Sequence, residues 1–143
     1  MVEISSDRLH ATTVSIDGIA VMIEGASGSG KSDLALRLID RGATLVSDDQ
    51  TLVVRSGKVL LARAPTTIAG RIEVRGIGIL AMPHVEDVAV GLLVRVDGAI
   101  ERMPERRVRK IAGIAVRQFA VDPFEASAPI KVELALRNPE PLE

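Results

Sequence analysis

The sequence predicts a strand-rich α/β domain, and three observations carry that prediction. Hydrophobic residues make up 47% of the 143, yet the only aromatics are Phe119 and Phe124. A core of Val, Ile, Leu and Ala suits buried strands flanked by aliphatic helices. Short apolar runs recur along the chain between turn residues. One run passes through a glycine-rich loop straight into a helical pattern, the strand–loop–helix order of an α/β unit. The length suits one domain with a real core.

Residues 9–16, LHATTVSI, alternate and are rich in β-branched types, which predicts one strand. Asp17-Gly18 predicts a hairpin turn, and residues 19–24 its buried return strand. After the glycine loop, Leu34, Ala35, Leu38 and Ile39 share one helical face, and Gly42 stands where the helix should stop. Residues 43–50, ATLVSDDQ, predict a short strand ending in Asp48 and Asp49. Only one helix separates it from the glycine loop, so it is expected as a near neighbour of the preceding strand.

Residues 51–62 read as a second hairpin around Ser56-Gly57. Residues 65–82 mix loop chemistry with a short IEV strand and a turn at Gly76 and Gly78. Residues 88–96, VAVGLLVRV, predict a buried strand. Residues 101–111 form the one basic cluster, expected as a solvated face or a surface for an acidic partner. Residues 129–136 fit either a helix or a strand. No repeat, linker or low-complexity segment interrupts the chain.

Composition removes several function classes. A net charge of −1 provides no basic field for nucleic acid. With no cysteine, disulfides, thiolate metal sites and cysteine nucleophiles are excluded. The N-terminus lacks a secretory layout and no apolar run approaches about 18 residues, so a cytoplasmic protein without a membrane partner is expected.

Gly25, Ala26, Ser27, Gly28, Ser29, Gly30, Lys31 and Ser32 spell G-x-x-x-x-G-K-[ST], placed between an apolar strand and an amphipathic helix. In that setting the loop amides cradle phosphates, the lysine adds a point charge and the serine hydroxyl can ligate Mg²⁺. Asp48-Asp49 can hold the metal with one carboxylate and accept a proton with the other. An ordinary acidic turn would look the same. His10 and His84, the two histidines, would not be nominated unaided. Glu73 and Arg75, taken alone, read as a surface ion pair on one strand face.

Together these residues resemble the catalytic C-terminal domain of the HPr kinase/phosphorylase family, in the short form found among α-proteobacteria. GASGSGKSDLALRLIDRGATLVSDD is similar to the family's phosphate loop, helix and strand ending in "ADD". IEVRGIGI is similar to the family signature "LEIRGLGI", and His10 precedes the loop by the interval of the family's "MHG" histidine. The resemblance implies a P-loop domain of the phosphoenolpyruvate-carboxykinase-like type with a strand-rich mixed sheet. It implies that residues 1–143 are this single domain, the family's N-terminal domain being absent.

The implied reaction is ATP- and Mg²⁺-dependent phosphorylation of a serine of the phosphocarrier protein HPr, with a phosphorylase reaction in reverse that releases pyrophosphate. Lys31 and the loop amides would hold the β/γ-phosphates, and Ser32 and Glu73 would ligate Mg²⁺. One of Asp48 and Asp49 would be the base, with Asp49 favoured and Asp48 close to the metal. His10 would assist it, and Arg102 would stabilise the phosphoryl in flight. A homo-hexamer is implied as well. IAVRQFAVDP, at 114–123, lacks the Gly-Arg-Asn of the family's C-terminal block. The alternatives are a small-molecule kinase on the same fold, or a non-catalytic ATP-binding module that uses the basic cluster.

Overall fold

The structure, a computed structural model, describes residues 6–102 and 107–139. The chain runs through β1 (Ser6–Leu9), β2 (Ala11–Ile16), β3 (Ile19–Glu24), α1 (Lys31–Asp40), β4 (Thr44–Ser47), β5 (Thr51–Ser56) and β6 (Val59–Arg63). It continues through β7 (Arg71–Val74), β8 (Gly78–Ala81), β9 (Val88–Arg95), β10 (Arg107–Ile111), β11 (Ile114–Ala120) and α2 (Ala128–Arg137). No helix among the described residues is long and apolar enough to cross a membrane.

One sheet runs in the order β1-β5-β6-β9-β3-β2-β4, and β11, paired with β10, joins it at β9. β9 is where the sheet forks. Its first residues, Val88 and Ala89, pair antiparallel with β6, whereas Leu93, Val94 and Arg95 pair parallel with β11. β3 runs parallel along its other edge. The β7–β8 hairpin is a separate two-stranded sheet.

The central strands are buried on both faces. Val14, Val21, Ile23, Leu92 and Val94 pack with Leu34 and Leu38 of α1 and Val132 of α2. On the opposite face Ala20, Met22 and Leu93 meet Val53 and Leu60 of the β5–β6 hairpin and Ile111 and Val116 of the β10–β11 hairpin. That double burial explains why β3 reads as a continuous apolar run. α1 ends as expected: Gly42 (φ 112°) donates to Ile39 O and Ala43 to Leu38 O, each at 3.0 Å, closing a Schellman motif.

Several expectations need correction. The strand over 9–16 is two strands, because the chain leaves β5 and joins β3 and β4 at His10. The alternation continues through the break, so the sequence gives no sign of it. β4 does not adjoin β3; β2 lies between them. Both are antiparallel to β2, so the two still end at the same edge of the sheet.

β9 is buried only around Leu92, Leu93 and Val94, and Ala89 and Gly91 are exposed. The basic cluster is not simply a solvated face: its residues 107–111 form β10, and Arg109 donates to Glu24 Oε1 at 2.7 Å. Residues 103–106 of that cluster lie outside the described residues. The 129–136 segment is helical, with Pro129 in the first turn of α2.

Candidate active site

The glycine loop leaves the carboxyl end of β3 and runs directly into α1. Binding crevices of α/β sheets open at that end of the strands. Gly28 and Gly30 have φ of 80° and 100°, a region that side-chain-bearing residues rarely enter. A Cβ on Gly30 would also sit 3.2 Å from Pro123. The backbone N–H groups of Ser27, Gly28, Gly30, Lys31 and Ser32 have no acceptor among the described residues. A row of such donors at a helix N-terminus is an anion site.

Lys31 is buried, and its ammonium donates to Gly25 O at 2.8 Å and Ala26 O at 3.2 Å. Ser29 Oγ is buried behind the loop without a partner among the described residues. From outside, Ala26 N–H donates to Asp97 Oδ2 at 3.2 Å. Arg95 donates to Asp97 Oδ1 at 3.1 Å, and this hydrogen bond holds the Asp97 carboxyl below its ordinary value.

Asp48 is the centre of the facing wall. Its Oδ1 accepts from Ser32 Oγ at 2.7 Å and Thr12 Oγ1 at 3.1 Å, while Oδ2 accepts from Glu73 N at 2.9 Å. Three elements (β2, α1 and β7) therefore converge on one buried carboxylate. Asp49 turns the other way. Its backbone is left-handed (φ 66°), a conformation Asp tolerates, and its N–H donates to Thr12 Oγ1 at 3.1 Å. Its exposed carboxylate lies 2.5 Å from His10 Nε2, which the break between β1 and β2 delivers.

Between the two walls lies a cleft of about 480 Å³. Of the residues singled out from sequence, Ser27, Gly28, Gly30, Lys31, Ser32, Asp48, Asp49 and Glu73 line it. Gly25, Ala26 and Ser29 form the back of the loop, and His10 joins through Asp49. Arg102 stands in an exposed bend after β9 and does not line the cleft.

The surface ion pair expected for Glu73 and Arg75 does not form; both line the cleft without an ion-pair partner among the described residues. Sequence reasoning also missed Thr12, Leu36 and Phe124. Thr12 sits two residues from His10 in an alternating segment, which was its available signal. His84 bridges to Leu45 and lies outside the cleft. Among the described residues no group of three His, Cys, Asp or Glu could hold a metal by itself.

The family model for the HPr serine kinase C-terminal domain matches residues 4–88. The HPr kinase/phosphorylase of Clostridium acetobutylicum is 43% identical over 76 residues, 53% of this chain and 25% of that protein. That of Clostridium tetani is 39% identical over 93 residues, 65% of this chain and 30% of that protein. The chain thus spans only a quarter to a third of the curated relatives it matches. The Hpr(Ser) kinase/phosphatase structure from Coxiella burnetii aligns with a TM-score of 0.81 at 29% identity, over 92% of this chain and 95% of that one. The strand-rich α/β fold expected from the sequence is thereby borne out. The chain belongs to the HPr serine kinase C-terminal domain family.

Proposed function

We propose that this member of the HPr serine kinase C-terminal domain family transfers the γ-phosphoryl group of ATP to a serine hydroxyl of an HPr-type phosphocarrier protein. The observation that carries the reading is the His10–Asp49 pair, at 2.5 Å, across the cleft from the phosphate loop. A phosphate-binding module alone has no use for an exposed, histidine-oriented carboxylate on the opposite wall. The relatives' names supply the acceptor.

The loop amides and the Lys31 ammonium bind the β- and γ-phosphates and stabilise charge that builds on them. Ser32 Oγ, the Asp48 carboxylate and the Glu73 carboxylate form an all-oxygen set that suits Mg²⁺ shared with phosphate and water. That ion would neutralise the phosphate oxygens. Asp49 accepts the proton of the attacking serine as its oxygen bonds to γ-phosphorus and the bond to the β-phosphate oxygen breaks. His10 holds the Asp49 carboxylate in position through Nε2. Arg102 is kept for charge on the transferred group and would have to reach the cleft from its bend. In solution the chain is proposed to self-associate and to act without nucleic acid or membrane.

The test is incubation of the chain with ATP, Mg²⁺ and an HPr-type protein. Phosphoserine on the carrier is expected, and it should vanish when the acceptor serine is replaced by alanine. Absence of transfer to the cognate carrier overturns the reading. Turnover of a metabolite without any protein acceptor would replace it with a small-molecule kinase.

A further inference from the structure

Phe124 is 77% exposed, yet the loop that carries it is pinned. Arg37, on α1, donates from Nη1 to Glu125 O at 3.1 Å and from Nη2 to Pro123 O. Phe124 N–H donates to Asp122 Oδ1 at 2.9 Å, a local turn that sets the backbone at the ring. Lys131 of α2 holds Glu125 Oε2 at 2.8 Å. An aromatic ring held on a fixed backbone in water gains nothing for the fold, since it buries little apolar area there.

Its position distinguishes the two walls of the cleft. Phe124 Cε1 lies 3.5 Å from where a Cβ on Gly30 would stand, beside the N-terminus of α1. Leu36, in the second turn of the same wall's helix, lines the cleft as well. Asp48, Asp49 and Glu73 stand on the other wall with Val74 and Arg75, tied to β2 and β7. The loop wall therefore has a cationic, amide-rich part and an apolar, aromatic part. A ligand matching both in one molecule is a nucleoside polyphosphate, with its charged tail and flat base.

We propose that Phe124 is the base-stacking residue of this site, its ring taking the purine of the nucleotide whose phosphates the glycine loop holds. The proposal rests on the phosphate-loop reading above and adds the contact that distinguishes a nucleotide from bare polyphosphate. Stacking by a pinned ring costs little ordering, and every purine presents a suitable face.

Calorimetric titration of the full chain with MgATP and with magnesium tripolyphosphate tests it, using the unaltered protein, Phe124→Ala and Phe124→Trp. Phe124→Ala should weaken MgATP by about tenfold and leave tripolyphosphate unchanged. Phe124→Trp should keep MgATP affinity. Because the chain has no other Trp, its indole fluorescence should be altered by MgATP and not by tripolyphosphate. Equal weakening of both ligands would show that Phe124 merely shapes the loop, and overturns the proposal. Unchanged MgATP binding with a raised KM for the carrier protein would assign the ring to acceptor docking, and overturns it too. If the unaltered chain binds neither ligand, the phosphate-loop reading falls first and takes this one with it.

Discussion

Along one side of the cleft, eight consecutive residues, Gly25 to Ser32, supply the phosphate-binding groups from the loop after β3 and the first turn of α1. Along the other, His10, Asp48, Asp49 and Glu73 arrive from three separate segments and are tied together by hydrogen bonds to the two aspartates. The first wall is shaped by backbone angles at Gly28 and Gly30. The second is shaped by a network whose centre is one buried carboxylate. A local backbone device tolerates changes elsewhere in the molecule, whereas a converging network transmits them. The walls should therefore fail in different ways.

The largest effect should come from the acceptor wall. Asp49→Asn removes the proposed base while keeping a similar shape, and should slow phosphoryl transfer by about a hundred- to ten-thousandfold. Its affinity for MgATP should stay within error, because Asp49 makes no hydrogen bond or ion pair with the phosphate loop among the described residues. Lys31→Ala should lose transfer to a similar degree but lose nucleotide affinity with it. Rapid-quench kinetics and calorimetry on the two variants separate the walls; an Asp49→Asn protein that binds MgATP as poorly as Lys31→Ala would merge them.

The next effect concerns the network itself. Asp48→Ala leaves the Thr12 and Ser32 hydroxyls and the Glu73 N–H without their shared acceptor. A stability loss of about 2–4 kcal/mol is expected in urea denaturation. Ser32→Ala removes one donor of the three and should cost about 1 kcal/mol or less. Equal costs for both variants would mean that Asp48 is not the point on which the elements converge.

The same contrast decides what could be read without coordinates. The phosphate loop is legible because its geometry is written in consecutive residue types, and the turn at Gly42 is legible for the same reason. Asp48-Asp49 stood out as a pair, but the division between them depends on Asp48 being buried and Asp49 being turned outward. His10 was reached only through its family interval, since the strand break that delivers it leaves the alternation intact.

Other features had no local signature at all. Arg109 looked solvated within a basic run, and only the pairing of β10 with β11 brings it to Glu24. The fork at β9 depends on two different partners sharing one edge, which no single segment records. Phe124 is merely a rare aromatic in the sequence, and only the fold of the loop that carries it places it beside Gly30.

The smallest effect tests whether the loop wall is as self-contained as it looks. At its first turn the loop is anchored from outside by Asp97, whose Oδ2 accepts from Ala26 N–H and whose Oδ1 accepts from Arg95. The Arg95 hydrogen bond holds the Asp97 carboxyl below its ordinary value. A carboxylate that ionises more readily when folded stabilises the fold fully above its unfolded value and loses that contribution as pH falls through its folded value. The anchor should hold throughout the neutral range and release in acid, at a pH below the ordinary carboxylate value. With the Asp97 side chain 34% exposed, solvent screening keeps the contribution small. A carbon-detected NMR titration should find Asp97 ionising below the ordinary carboxylate value, moving upward in Arg95→Ala, while Ala26 N–H shifts in step with it. A midpoint at or above the ordinary carboxylate value in the unaltered chain, or an Ala26 amide indifferent to that titration, would mean that Asp97 does not anchor the loop.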